Sequence, residues 1–295
     1  MNVKVYQLRS QIKDYFDLTK PRITLLVLIT AYAGMWLAAG GVPPIDLSLV
    51  ALLGIGLASA SSCALNNYFD RDIDQLMQRT QHRALATGRL QPREGLWFGL
   101  MLNLAAFYIL LVGVNALSAW LAVGTVFFYV VIYTLWLKRT SSLCTVIGGV
   151  AGALPPIIGW AAIANQIDWP AIVLFAILFF WQPPHFWALA LNRTEDYQRA
   201  NLPILPVSKG ERATKRQILL YTVLLLPTSI LLYWHDLVGE LYLFNALVVG
   251  ILYLVFTIFV VKSTTDSFKN MKRLFAFSIL YLFLIFVFIF IDCRC

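Results

Sequence analysis

The sequence predicts an all-helical, polytopic membrane protein, and three observations carry that expectation. Hydrophobic residues make up 60% of the 295 and charged residues only 13%, where soluble chains average about 45–50% and about 25%. Nine apolar stretches are long enough to cross roughly 30 Å of hydrocarbon, a distance that takes about 20 helical residues. None of the nine contains Asp, Glu, Lys or Arg, so the 23 basic and 15 acidic residues all fall in connections or tails.

The spans are expected at about 23–40, 47–66, 95–113, 117–137, 143–163, 169–191, 218–234, 241–261 and 274–291. All Lys and Arg except Arg294 precede the first span or lie in alternate connections, and the intervening connections carry none. The positive-inside rule then puts the N-terminus and the basic loops in the cytoplasm and the C-terminus in the periplasm. A net charge of +8 with pI near 9.4 could suggest nucleic acid as a partner. A binder of nucleic acid would gather that charge in a patch or stripe, and here it follows the loops instead. Cleavage of the first span as a signal peptide is the competing reading of its LAAGG end. The basic leader is long for that role, and eight remaining spans would put both termini on one side. The connections at 67–93 and 192–217 are too short for a further domain of roughly 50 residues or more, so residues 1–295 form a single membrane domain.

Cys63 and Cys144 fall within spans, and Cys293 and Cys295 end the chain as C-R-C, a spacing of neither redox nor haem-attachment type.

Residues 64–90 follow the exit of the second span. Asn66, Asp70 and Asp74 recur every four residues, which on a helix stacks them in one polar stripe. Two carboxylates about 5–6 Å apart repel by about 3 kcal/mol at an effective dielectric near 20 unless a cation lies between them. Mg²⁺ meets that need, since it takes one or two carboxylates, keeps several waters and draws further oxygens from substrate phosphates. Arg79, Thr80 and Arg83 follow as R-T-x-x-R, two guanidinium groups suited to bidentate phosphate contacts if the helix persists. Asp72 falls on the opposite side and reads as a solvated charge.

Asn192 and Asp196, after the sixth span, repeat the N-x-x-x-D spacing, with Ala200 where a further carboxylate would stand. Between the loops, Lys138 and Arg139 are the only charges at their turn. Gly148, Gly149 and Gly152 with Pro155 and Pro156 interrupt the fifth span, and Pro183 and Pro184 the sixth. Paired prolines bend membrane helices where freed backbone groups face a cavity or neighbouring helices. His185 is the only histidine inside an expected span. It is read either as a neutral imidazole bonded to a carbonyl freed by Pro183 or Pro184, or as a ligand-facing group.

N-x-x-x-D-x-x-x-D followed by R-T-x-x-R on a polytopic chain resembles the UbiA-type intramembrane prenyltransferases. The phrases DLTKPRITLLVLIT, NNYFDRDID, YTLWLKR, GALPPIIGW and WQPPHFWALAL…DYQRANLPILPV are similar to those of members that act on haem. The likeness runs from about Asp17 to Lys209, roughly two thirds of the chain. It implies nine helices around a central cavity and farnesyl transfer from farnesyl diphosphate to a vinyl group of haem B, with addition of water and Mg²⁺ as cofactor. By the same resemblance Asn66, Asp70 and Asp74 belong to the first acidic motif, Arg79 and Arg83 contact diphosphate, Tyr133 and Lys138 form a mid-chain motif, and Asp196 belongs to the second acidic motif. Metal ligands are then Asp70, Asp74 and Asp196, with Lys138 also on the diphosphate, and in a haem-processing enzyme His185 becomes a haem contact, since imidazole is a common axial ligand. Ala84 departs from the proline that many members carry there.

The implied setting is the bacterial cytoplasmic (inner) membrane, with the site toward the cytoplasm and product handed to terminal oxidase assembly or a downstream haem-modifying enzyme. A nearer alternative prenylates an aromatic quinone precursor. A transporter is the alternative of another class, but transporters place ionisable groups near the midplane, and here every carboxylate lies at a span end or in a loop.

Overall fold

Proline sets the start of the first span in the computed structural model, which describes residues 3–263 and 267–294. Pro21 occupies the first helical turn, where its missing N–H costs nothing, and the helix runs Pro21–Ala39. It stops at Gly40, whose φ of 65° only glycine adopts freely, with the Gly41 N–H returning to the Trp36 carbonyl at 2.9 Å.

Among the described residues nine helices are long and apolar enough to cross a membrane: Pro21–Ala39, Ile45–Phe69, Pro92–Gly113, Ala116–Thr140, Cys144–Ala164, Trp169–Leu191, Leu205–Trp234, Glu240–Lys262 and Phe268–Ile291. They are numbered first to ninth here. Leu104, Phe127, Leu252 and Phe283 on these spans are exposed, which is stable in lipid and a liability in water. The chain is an integral membrane protein.

The seventh span departs most from expectation, beginning at Leu205 rather than near 218. Its first turns carry Lys209, Arg212, Lys215 and Arg216, so hydropathy alone misses them. Gly210, at φ 78° and ψ 174°, kinks the helix there. A helix absent from the expected spans, Val3–Leu18, precedes the first of them. It docks through buried Leu18 and through Asp14, which pairs with Arg89 at 3.0 Å.

The fifth span breaks at Leu154 into Cys144–Ala153 and Pro155–Ala164, as its paired prolines require. Pro183 and Pro184, by contrast, lie inside an unbroken Trp169–Leu191 helix. The second half of the fifth span crosses the first span at backbone contact. A methyl group on Gly159 would lie 1.9 Å from the Ala31 carbonyl oxygen, and one on Gly34 2.1 Å from that of Pro156. The first span is thereby built into the fold.

Two apolar cores divide the molecule. Ile55, Leu110, Ala119 and Val126 centre one among the second to fourth spans, and Leu174, Ile177, Tyr242 and Tyr281 centre the other among the sixth to ninth. A third cluster joins Ile73 and Met77 of the first long loop to Ala200, Leu202 and Ile204 of the second. The two basic loops are thus welded at one end of the bundle. At the other end Asp292 accepts the Tyr242 N–H at 2.7 Å and Arg294 pairs with Asp236 at 3.2 Å. Cys63 and Cys144 are buried thiols outside any disulfide; Cys295 lies outside the described residues.

Candidate active site

The second span ends at Phe69, yet its hydrogen-bond ladder continues. The Asp70 N–H reaches the Asn66 carbonyl at 2.9 Å and the Asp74 N–H reaches that of Asp70 at 2.8 Å. The expected stripe therefore exists, with Asn66, Asp70 and Asp74 all buried.

Each acidic residue on it is met by a base. Lys138 Nζ lies 2.5 Å from Asp70 Oδ2, and Arg83 Nη1 lies 2.7 Å from Asp74 Oδ2. Asn66 donates through Nδ2 to Asp70 Oδ2 at 2.7 Å and to Thr134 Oγ1 at 3.1 Å. The repulsion between Asp70 and Asp74 is offset by these two cations. One acceptor is left over: Asp70 Oδ1 is buried and has no hydrogen-bond partner. A buried carboxylate oxygen without a partner is costly, and a hard cation is the group that relieves it.

Lys138 reaches Asp70 because of an irregularity that the residue pattern does not announce. Residues Phe128–Leu137 of the fourth span are π-helical, a rare geometry that gathers at functional sites. Each wider turn takes an extra residue and rotates the later side chains around the helix axis. Thr134 Oγ1 donates five residues back to the Tyr129 carbonyl at 2.9 Å, and the rings of Tyr129 and Tyr133 lie 5.3 Å apart. Gly148 makes room for Tyr133, since a methyl group there would sit 2.3 Å from the ring. Gly152 does the same for Gln182, whose amide donates to the Gly149 carbonyl at 2.9 Å.

The first span supplies a site residue that the motifs did not single out. Lys20 Nζ donates to Asn66 Oδ1 at 3.0 Å. Its backbone is left-handed, φ 47° and ψ 65°, a strained conformation for a non-glycine residue that costs about 1–3 kcal/mol and is typical of functional positions. Burial, with Arg83 and Lys138 nearby, pushes its ammonium down to a pKa of about 8. The signal was legible as a basic residue directly before Pro21 at the head of a span.

Beyond Asp74 the helix does not persist. Residues 77–87 form successive turns, so Arg79 and Arg83 do not share a helical face as expected. Arg83 turns inward to Asp74, whereas the Arg79 side chain is exposed, without a hydrogen-bond or ion-pair partner among the described residues. Asp72 is not merely solvated: Arg139 holds it through two 2.7 Å bonds, which drop its pKa to about 2, and also donates to the Phe69 carbonyl.

Asp196 sits in the short helix Thr194–Arg199, paired with Arg199, and accepts the Gln78 N–H of the first loop at 3.1 Å. It thus bridges the two loops. Asn192 does not echo Asn66, because its amide turns back to the Ala188 carbonyl at 3.2 Å. Ala200, where the repeat lacks a carboxylate, is buried in the apolar cluster between the loops. Among the described residues no three of His, Cys, Asp and Glu converge as a closed metal cage; Asp70, Asp74 and Asp196 are each held separately by a base.

His185 is not bonded to a freed carbonyl. Its Nδ1 lies 2.7 Å from Ser278 Oγ, and its ring is stacked between Trp181 at 4.4 Å and Phe275 at 4.5 Å. Nε2 has no hydrogen-bond partner among the described residues.

Comparison with known proteins agrees with this geometry. Residues 27–284 match the model of the UbiA prenyltransferase family. A protein of Symbiobacterium thermophilum named protoheme IX farnesyltransferase is 48% identical over 92% of this chain and 90% of its own length. One of Gloeobacter violaceus with the same name is 47% identical over 98% and 94%. Among solved structures, a digeranylgeranylglyceryl phosphate synthase superposes with a TM-score of 0.80 at 18% identity, covering 96% of this chain and 98% of that one. A UbiA homologue from Archaeoglobus fulgidus, bound to DMAPP and Mg²⁺, superposes with a TM-score of 0.63 at 15% identity, covering 94% and 99%. The fold, the buried carboxylate stripe and the family match over most of the chain lead to one conclusion: this chain belongs to the UbiA prenyltransferase family.

Proposed function

We propose that the protein transfers the farnesyl group of farnesyl diphosphate to a vinyl group of haem B, with addition of water, giving haem O and diphosphate. The observation that carries the reaction type is the pairing of every site carboxylate with a cation while one oxygen of Asp70 is left buried without a partner. Relatives above 40% identity over nearly the whole chain that are named for haem farnesylation support the choice of acceptor.

The orphaned oxygen of Asp70 fits Mg²⁺, which Asp70 and Asp74 of the first loop and Asp196 of the second would hold. When bound, the ion supplies Lewis-acid stabilisation of charge on the leaving oxygens. The remaining work falls to this chain. Lys138 and Arg83 are already poised at the stripe, and an incoming diphosphate competes with Asp70 and Asp74 for them, so both cations turn from carboxylate to phosphate. The Arg79 guanidinium, free of protein partners among the described residues, closes on the same anion in the bidentate manner of such groups. Lys20 fixes Asn66, which in turn fixes the Asp70 carboxylate. Breaking the allylic C–O bond moves negative charge onto oxygens that this preorganised cluster surrounds, and such charge stabilisation is commonly the largest catalytic contribution. Tyr133 and Tyr129 offer ring faces to the isoprenoid, and a carbocation is attracted to such faces. The new C–C bond forms at the terminal vinyl carbon. Water then adds to the inner vinyl carbon and releases a proton.

By the charge asymmetry of the loops, the site opens toward the cytoplasm, in a bacterial inner membrane, and the product passes to oxidase assembly or to a further haem-modifying enzyme. A cytoplasm-dependent reporter fused after Arg89 or Lys209 should be active and one at the C-terminus inactive. The reaction is tested by incubating purified protein with haem B, Mg²⁺ and farnesyl diphosphate and analysing the product by mass spectrometry.

A further inference from the structure

Two adjoining cavities open between the end of the sixth span and the start of the ninth. One, of about 380 Å³, is lined by Leu191, Asn192, Pro206, Glu211 and Met271 among others. The other, of about 230 Å³, is lined by Leu189, Asn192, Arg193, Phe268, Lys272 and Phe275. Asn192 and Phe268 border both, so they form one groove of two characters. The larger part carries the Glu211 carboxylate, paired with Lys215 at 2.8 Å. The smaller part presents two cations and no acidic lining residue over an aromatic floor.

Lys272 is held 4.2 Å from the centroid of the Phe268 ring, a cation–π contact that fixes its ammonium at the groove. Arg193 directly follows the last turn of the sixth span and has no ion-pair partner among the described residues. Positive residues near a cytoplasmic membrane face are ordinary for topology. Two of them lining one cavity whose other walls are Leu189, Asn192, Phe268 and Phe275 is a more specific arrangement. It suits an amphiphile with a flat apolar body and an acidic edge.

The groove meets His185 through Phe275. Residues 185, 189 and 192 recur at helical spacing and share a face of the sixth span. Leu189 and Asn192 line the cavity, and Phe275 both lines it and stacks on His185. A macrocycle whose acidic edge sat in the groove would extend its plane inward along that face.

We propose that this groove seats the two carboxylates of the acceptor, with Arg193 and Lys272 as their partners and Phe268 and Phe275 against the macrocycle. The assignment rests on haem B being the acceptor and adds to that reading an orientation, with the acidic edge at the cytoplasmic surface and the vinyl edge directed into the bundle. Charge-assisted hydrogen bonds to carboxylates are the strong ones, and removing both cations should weaken haem binding more than tenfold.

The test uses the full-length protein in detergent with haem B and with its dimethyl ester, in which both carboxylates are blocked. Wild-type protein should bind and farnesylate haem B at least tenfold better than the ester. Arg193→Gln/Lys272→Gln should raise the KM for haem B at least tenfold, bring it level with the ester, and leave the KM for farnesyl diphosphate within about twofold. Spectrophotometric titration of haem B reads the same loss without turnover, and Lys272→Gln alone, at an exposed position, should give an intermediate effect if the double variant does not fold. Equal use of acid and ester by wild-type protein, or unchanged haem affinity in the variants, overturns the proposal. Unchanged haem affinity together with a lost response to anionic phospholipid would assign the groove to lipid headgroups. A wild-type protein that farnesylates neither form overturns the acceptor assignment itself, and this seat with it.

Discussion

Lys138 and Asp70 are 68 residues apart in sequence, yet their side chains meet at 2.5 Å, and they do so because the fourth span is wound as a π-helix just before Lys138. The pair occupies one oxygen of Asp70 and leaves the other buried and without a partner. That asymmetry is what a carboxylate needs if it is to be preorganised by the protein and still have a lone pair for a cation.

Asp70→Asn or Asp74→Asn should therefore lower kcat by at least about 10²-fold, the scale set by losing charge stabilisation at a reacting centre, in protein that remains folded and membrane-inserted. Steady-state kinetics with size-exclusion profiles checks this, and chelation of Mg²⁺ should reproduce the loss reversibly. Wild-type turnover in either variant would remove the stripe from the mechanism.

Asp72→Asn serves as the contrast. The Arg139 pair is more than half exposed on the aspartate side, 60%, and exposed pairs contribute about 0–1 kcal/mol. Turnover should stay within about twofold. Because the folded-state pKa of Asp72 is depressed to about 2, its stabilisation is present above about pH 4 and is lost as pH falls toward 2. Thermal melts at pH 7 should differ little between variant and parent, and their difference should shrink further in acid.

Lys20→Met should cut kcat by roughly 10–100-fold, the equivalent of one charged hydrogen bond worth about 1.5–3 kcal/mol, since Asn66 would lose the contact that orients it. Lys20→Arg should recover part of the rate. Unchanged kinetics in Lys20→Met would reduce this residue to a span-end charge.

Gly159→Ala should destabilise the protein by about 1–3 kcal/mol, the usual cost of overpacking, because the added methyl meets a backbone carbonyl that cannot swing away. Gly148→Ala is opposed by the Tyr133 ring rather than by backbone and should impair turnover more than it lowers stability, because the ring must shift. Melting curves in detergent, set beside activity, separate the two.

Much of the fold was legible in the sequence because bilayers impose simple rules: nine uncharged stretches became nine helices among the described residues, and Pro155 with Pro156 broke the fifth where expected. The seventh span escaped because its first turns are amphipathic and charged, and Pro183 with Pro184 did not break the sixth. Spacing alone exposed Asn66, Asp70 and Asp74, which share one helical ladder. The π-helical turn was not legible, since it is a backbone choice that no residue pattern announces, and Lys20 showed only as a basic residue before Pro21, because its role depends on a tertiary contact with Asn66 of the second span. Arg79 and Arg83 were found, but their common face was not, because the helix carrying it ends at Asp74.

Haem B is the proposed acceptor of the farnesyl group. Mass spectrometry of the product formed by purified protein from haem B, farnesyl diphosphate and Mg²⁺ tests it most directly, with Asp70→Asn as the blank. The wild type should form a product heavier than haem B by one farnesyl and one hydroxyl group, and Asp70→Asn should not. Haem B recovered unchanged, with farnesyl transfer instead to an aromatic quinone precursor under the same conditions, would contradict it.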